Sequence, residues 1–438
     1  MNKCKSALSL LSSLVSVDTV NSPVEGKLVG VKEARVISSI LEEHGFSHSV
    51  DEHAPVPILY DIRGEDRPVT LWLAHYDVVP PGPGWTRDPF KLTVEDGKAY
   101  GRGATDDKGN VTALVEALAS YQPKQGTIII AFTGDEEIGG KSAGYLAEKL
   151  GEIGLFPDYM VNADGALSKV IIRRRGGFGA RIRVKSKKEL EKGRVREKTF
   201  ETKILLRETM HSAYFIPGVD THALVAASLW IRDNNIHVSS LKGEWVKSNV
   251  IPRKTTIRYV EKGGDELVEV DIGLTQLLKS IVPLVRAPIP TEKYSDYGVS
   301  INPNYYTFKE DYHELVLDIR AMTTNKDKIE EILEEILENN LDHEYTLTVT
   351  GGKGYLYTDK GSILVKKASE INKLLGLDPE PIEAGGASDS RYFSPKGVES
   401  IDYGPLGGNI HGPDEYVNIE HLCKTIEFYR RLARELHW

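Results

Sequence analysis

His75, Asp106, Glu137, Asp164 and His411 form a set of imidazoles and carboxylates without a thiolate, and each follows an apolar stretch or a glycine-rich turn. Borderline nitrogen and oxygen donors suit zinc, with cobalt or manganese as alternatives. Five such ligands exceed what one tetrahedral zinc needs, but they fit two ions that share a bridging carboxylate. Two ions about 3.5 to 4 Å apart can activate a water held between them. Taken singly, each residue is equally well read as a helix cap or a solvated turn. Only their common position, at the ends of strand-like runs, points to a metal site. The adjacent acids Glu136 and Glu137 add a second signal, because one can ligate a metal while its neighbour stays free. A free glutamate there can take a proton from water and pass it to a leaving amine, and this role falls to Glu136.

The elements that must position these residues can be read from the apolar patterns. Val69 to Ala74 predicts a buried strand that delivers His75 and, two residues on, Asp77. The turn GRGATDDKG presents Asp106 just before a helix whose apolar face is Val111, Leu114, Val115 and Leu118. Gly126 to Thr133 predicts a strand leading to Glu136 and Glu137, Tyr159 to Ala163 one ending in Asp164, and Ser400 to Tyr403 one leading through GPLGGNIHGPDE to His411. Strands alternating with helices predict an α/β fold with a mostly parallel central sheet. In such sheets, sites are built at the carboxyl edge of the strands. The turn's glycines and Lys108 do not follow the order of a phosphate loop, so nucleotide binding is not expected there.

The length of 438 residues predicts about two domains. From about Gly176 the character changes to alternating charged, strand-like stretches. A helix is expected at Thr221 to Asp233, a strand at Leu315 to Arg320 and a helix at Lys326 to Leu337. This predicts an α+β domain over 176–351 inserted into a first domain formed by 1–175 and 352–438. The stretch from Glu261 to Pro303 has no readable role. A net charge of -9 without a sustained basic run argues against nucleic acid, and no apolar run is long enough for a membrane span. The N-terminal pattern reads as a core helix rather than a signal peptide. The setting is expected to be cytoplasmic, with Cys4 and Cys423 unpaired.

His75-Tyr-Asp77, GRGATDDKG, Gly134-Asp-Glu136-Glu137, Asp164, GGASDSRYF and His411 together resemble the di-zinc aminoacylase and carboxypeptidase metallopeptidase family. That family includes acetylornithine deacetylase, succinyl-diaminopimelate desuccinylase, glutamate carboxypeptidase and carnosinase-type dipeptidases. The resemblance implies a zinc-peptidase-like catalytic domain, an inserted lid and dimerisation domain, and two zinc ions per chain. His75, Asp106 and Asp164 would hold one ion, and Asp106, Glu137 and His411 the other. Asp77 would fix the tautomer of His75, and a cis peptide would follow Asp106. In the lid, the resemblance makes His211 an oxyanion donor to the active site of a partner subunit in a homodimer. It makes Asn249 and Arg320 substrate contacts, and arginine suits a carboxylate through its two-pronged geometry. Gly386 and Ser388, in GGASDSR, offer backbone N–H groups and small side chains to a ligand.

The resemblance implies an amidohydrolase acting on a small, carboxylate-bearing molecule or short peptide. DDKG and an aspartate at position 164 are similar to the dipeptidase branch, whereas GGASDSRYF and HGPDEYV are similar to the deacetylase and desuccinylase branch. An N-acyl amino acid deacylase, a carnosinase-type dipeptidase and a non-catalytic metal-binding relative all remain open at this point.

Overall fold

The computed structural model describes residues 3–206, 209–295 and 298–437. The chain forms two compact units, Met1–Arg174 with Tyr355–Trp438, and Arg175–Gly354.

The first unit is built on a nine-stranded sheet. Its centre is the parallel set Thr127–Thr133, Val69–His75, Tyr159–Asn162 and Glu399–Asp402, in that order. Antiparallel pairs flank this set: Ile58–Arg63 on Thr127–Thr133, and Ile171–Arg174 beside Glu399–Asp402. The sheet is therefore mixed, with its parallel strands in the middle. Both central runs, VTLWLAH and TIIIAFT, are buried throughout. Trp72, Ala74, Ile128, Ile130 and Phe132 pack into a core on one face, and Leu71, Leu73, Ile129 and Ala131 into a core on the other. A strand covered on both faces has no polar side to alternate with, which is why these segments read as unbroken apolar runs. His75 pairs with Thr133 and Leu73 with Asn162. The chain segments after these strands therefore leave the sheet at a single edge.

The first and last helices, Lys3–Val15 and Ile419–Leu436, join one core through Leu10, Leu11, Leu14, Leu422 and Leu432. Their packing corrects the expectation of unpaired cysteines: Cys4 and Cys423 form a disulfide with Cα atoms 6.0 Å apart. Separation along the chain concealed a neighbourhood that only the shared core creates. Among the described residues no helix is long and apolar enough to cross a membrane.

The second unit has an antiparallel four-stranded sheet in the order Ser300–Lys309, Tyr312–Ala321, Gly176–Lys185 and Tyr345–Gly351. A three-stranded sheet is formed by Lys188–Glu201, Lys254–Asp271 and Val238–Gly243. Helices Ala223–Asn234, Ile272–Val285 and Lys326–Glu338 bury Leu224, Leu278 and Leu333 in the common core. Most of the described part of the stretch from Glu261 to Pro303 is regular structure: the end of one long strand, a buried helix and the start of another strand. Gly263 and Gly264 within the strand, and Pro283 in the last turn of the helix, masked both elements in the sequence.

Candidate metal centre

Asp106 is the centre of the site. Its Oδ1 lies 3.0 Å from Nε2 of His75 and its Oδ2 3.1 Å from Nε2 of His411. The same His411 nitrogen is 3.0 Å from Oε1 of Glu137. Two groups of possible ligands result, each with its ligand atoms within 4.8 Å of one another: His75, Asp106 and Asp107, and Asp106, Glu137 and His411. One carboxylate thus turns an oxygen to each of two histidines, as a bridge between two ions requires.

These residues arrive from separate elements. His75 closes a buried strand, Asp106 precedes helix Lys108–Leu118 across a cis peptide to Asp107, and Glu137 lies in the short turn Glu136–Ile138. His411 sits in a loop with a φ of 60°. Lys108 turns its Nζ inward to the Val17 carbonyl, 2.7 Å away, so it does not serve a phosphate.

The field of these carboxylates favours positive charge. Burial opposes protonation of His75, yet Asp107, Asp106 and Asp77 raise it well above the ordinary imidazole range. His411 is likewise pushed up to about 11, against burial, by its hydrogen bonds to Asp106 and Glu137. Asp106 is held far below the usual carboxylate range, because the two histidines outweigh its burial. Burial and the charge of Asp106 push Glu137 up to about 7. A donor set of imidazole nitrogens and carboxylate oxygens with this preference for cations fits divalent zinc, cobalt or manganese. Loading must displace the imidazole protons, so metal uptake releases protons.

Asp77 supports the site as well as His75. Nδ1 of His75 is 3.1 Å from the Asp77 carbonyl and 3.3 Å from its Oδ1, which leaves Nε2 facing Asp106. The Asp77 carboxylate also accepts the backbone N–H groups of Glu136 and Glu137 and the amide of Asn21. It therefore ties the strand end to the turn that carries both glutamates. Glu136 lies 3.5 Å from Nη2 of Arg391, which is also 3.1 Å from Asp389.

Asp164, expected as a ligand beside His75, joins neither group among the described residues. Burial raises its carboxyl well above the carboxylate range, with Arg174 opposing and Glu136 and Asp106 adding to the rise. It thus shares the site's field. Its side chain is one methylene shorter than glutamate, and its backbone carbonyl is held 2.8 Å from Nη2 of Arg174. Asp107 is grouped with His75 instead, but its oxygens already accept from the His75 backbone N–H at 3.0 Å and from Asn110 at 2.7 Å.

The most heavily bonded support is one that sequence reasoning passed over. Glu415, fully buried, accepts from the backbone N–H groups of Thr105 and Asp106 on Oε1, and from Gly103 N–H and Arg102 Nη1 on Oε2. It fastens the loop of His411 to the loop of Asp106. Arg102 completes the tie by donating to the Gly412 carbonyl. Glu415→Gln leaves the buried Arg102 without its anion and sets an NH2 group against a backbone donor. Denaturant titration is expected to show a loss of about 3 kcal/mol, with weaker metal binding. An unchanged midpoint would remove Glu415 from this role.

In the GGASDSR loop, Gly386 has a φ of 83°, a conformation that favours glycine. Arg174 donates to the neighbouring Gly385 carbonyl at 2.8 Å. Ser388 is buried, and its Oγ has no hydrogen-bond partner among the described residues.

In the second unit, the structure brings His211 and Asn249 together. Nδ1 of His211 accepts from the Ala213 N–H at 3.1 Å, and its Nε2 lies 3.2 Å from the side-chain amide nitrogen of Asn249. Arg320 and Asn249 line one cavity of about 730 Å³ with Arg181, Lys247 and Asp318. Close to this segment, buried His222 caps helix Ala223–Asn234 through Nδ1 and meets Asn304 at 3.3 Å, and Asn304 in turn donates to the Ser248 carbonyl.

Burial depresses His222 from the usual 6.5 to about 4. Between those values the unfolded chain binds a proton that the folded chain excludes, so stability rises with pH across the window. Up to about 3 kcal/mol is therefore lost as pH falls from about 6.5 towards about 4. His222→Asn, which keeps a good capping group, should flatten this dependence in denaturation midpoints taken across the window. An identical slope in the variant would assign the loss to other groups.

The profile of peptidase family M20/M25/M40 matches residues 71–435. A succinyl-diaminopimelate desuccinylase of Wolinella succinogenes is 28% identical over 387 residues, 87% of this chain and 88% of that protein. The enzyme of the same name from Stenotrophomonas maltophilia is 25% identical over 92% of both chains. Among solved structures, an aminoacylhistidine dipeptidase from Vibrio alginolyticus superposes with a TM-score of 0.71 at 16% identity, covering 98% of this chain and 96% of that one. A metallo-carboxypeptidase of the M20 family from Sulfolobus solfataricus gives a TM-score of 0.64 at 18% identity, covering 98% and 99%. Matched over most of its length and carrying shared carboxylate–histidine groups at the carboxyl edge of a mixed sheet, the chain belongs to peptidase family M20/M25/M40 and is a hydrolase of amide or peptide bonds.

Proposed function

We propose that the protein is a two-metal amidohydrolase that removes an acyl group from a small, carboxylate-bearing N-acyl amino acid. The observation that carries this reading is Asp106, with one oxygen towards His75 and the other towards His411 beside Glu137. His75, Asp106 and Asp164 would hold one zinc, and Asp106, Glu137 and His411 would hold the other. The bound metals would supply Lewis acidity, polarising the scissile carbonyl and acidifying the attacking water. Glu136 takes the proton from that water and returns it to the departing amine. Asp77 and Glu415 keep the ligands aimed. The imidazole of His211 would donate to developing negative charge, and in a homodimer formed through the second unit it would serve the partner's site.

Arg320 anchors the substrate carboxylate, with Asn249, Gly386 and Ser388 as further contacts. The names of the relatives, desuccinylases of a succinylated diamino acid, support an acyl group that itself bears a carboxylate. Asp164 favours a second reading, a dipeptidase of the carnosinase type, because the shorter carboxylate accompanies that branch.

The test is amine release by zinc-reconstituted protein from N-acetyl amino acids, N-succinyl amino acids and unblocked dipeptides, with and without chelator. Chelator-sensitive cleavage of the blocked compounds is the expected result. Cleavage confined to unblocked dipeptides would replace the deacylase reading with the dipeptidase one, and no turnover with metal bound would point to a narrower substrate or to a non-catalytic binding protein.

A further inference from the structure

We infer that Asp318 is a positioning residue that aims Arg320 and thereby sets the selectivity for a substrate carboxylate. This inference rests on the reading of Arg320 as the carboxylate anchor. The two side chains stand two residues apart on strand Tyr312–Ala321 and so emerge on the same face of its sheet. Nε of Arg320 donates to Oδ1 of Asp318 at 2.7 Å and Nη2 to Oδ2 at 2.9 Å, a two-pronged pair that occupies one whole edge of the guanidinium. Both groups are nearly buried, with side chains 11% and 9% exposed. In such surroundings the pair holds its geometry far better than an exposed ion pair would.

The pair leaves a defined part of Arg320 for a ligand. With the Nε and Nη2 edge taken, Nη1 has no hydrogen-bond partner among the described residues, and it points towards Gly177 on the neighbouring strand. A Cβ at Gly177 would stand 3.0 Å from Nη1, so glycine there preserves the space around it. Gly177, Asp318 and Arg320 line the same cavity, together with Lys247 and Asn249. Arg181, also in its wall, is paired with Glu314. The other cation in the lining, Lys247, is therefore the partner with which Arg320 would share an anionic group. Asp318 has two opposed effects on that anion. It holds Arg320 in place, which favours binding, and it sets a negative charge nearby, which opposes binding. Alanine removes both effects, whereas asparagine keeps an acceptor for Nε–H and removes the charge.

Steady-state kinetics would be measured with an N-acetyl amino acid and its primary-amide counterpart for wild type, Asp318→Ala, Asp318→Asn and Arg320→Met. Asp318→Ala is expected to raise KM for the carboxylate by about tenfold, with kcat within about twofold and KM for the amide unchanged. Asp318→Asn should keep KM for the carboxylate at or below the wild-type value, rescuing the alanine defect. Equal KM changes in the alanine and asparagine variants, or the same loss on the amide, would reduce Asp318 to a structural residue and overturn the inference. Should Arg320→Met still prefer the carboxylate as wild type does, the anchor reading itself fails. If that preference is lost in Arg320→Met but kept in Asp318→Ala, the anchor stands and only the role of Asp318 falls.

Discussion

Glu136→Gln is expected to bind metal as wild type does and to lose hydrolysis by about a thousandfold or more. Glutamine has nearly the same volume and keeps an oxygen towards Arg391, so the turn that carries Glu137 has no reason to move. That turn is held through backbone N–H groups on Asp77, at 3.1 Å for residue 136 and 3.2 Å for residue 137, and the substitution leaves these untouched. What disappears is the capacity to accept a proton and deliver it again, a contribution of about 10²- to 10⁴-fold in general acid–base catalysis. The measurement is kcat on the best blocked amino acid, paired with elemental analysis of bound metal. Retained turnover would remove Glu136 from the role of base. Lost metal would instead show that Glu136 supports the ligand set.

Asp106→Ala should be worse, because it acts on both halves of the site. Each group of possible ligands contains Asp106, whereas Glu137 and His411 belong to one only. Its removal takes an anion from two histidines at once, and each remaining half keeps too few donors for a closed zinc site. Bound metal is expected to fall from about two ions per chain to well below one, with hydrolysis lost in parallel. Glu137→Ala and His411→Ala should each empty mainly one position. The loop itself should survive, since Glu415 holds the backbone of Thr105 and residue 106 rather than the side chain. If Asp106→Ala retained one tight ion and substantial activity, a single-metal mechanism would be the better account.

Much of the site was legible in the linear chain because its chemistry is local. His75, the Glu136 and Glu137 pair and the turn at Asp106 follow directly from buried apolar runs, and a strand covered on both faces announces itself by composition alone. The helix starting at Lys108 was legible for the same reason, from the spacing of Val111, Leu114, Val115 and Leu118. Charged or polar residues whose partners lie far along the chain were not legible. Glu415 and Arg102 stood inside recognised motifs, yet 313 positions separate them, and nothing in either motif says that one carboxylate will gather three backbone donors and a guanidinium. The helix Ile272–Val285 was concealed for a different reason, because its flanking Gly, Pro and Tyr residues resembled loop composition.

By itself, then, the sequence determined the residue types at the strand ends, the α/β alternation that presents them and the cation-seeking character of the set. The tertiary structure decided which oxygen of Asp106 faces which histidine, that Asp107 stands with His75, that Cys4 meets Cys423, and that Asp318 occupies one edge of Arg320. All but the last are outcomes of distance and direction between segments remote in the chain, and for Asp318 and Arg320, two residues apart on one strand, side-chain direction closes the pair. Packing sets them, and neither spacing nor composition encodes it.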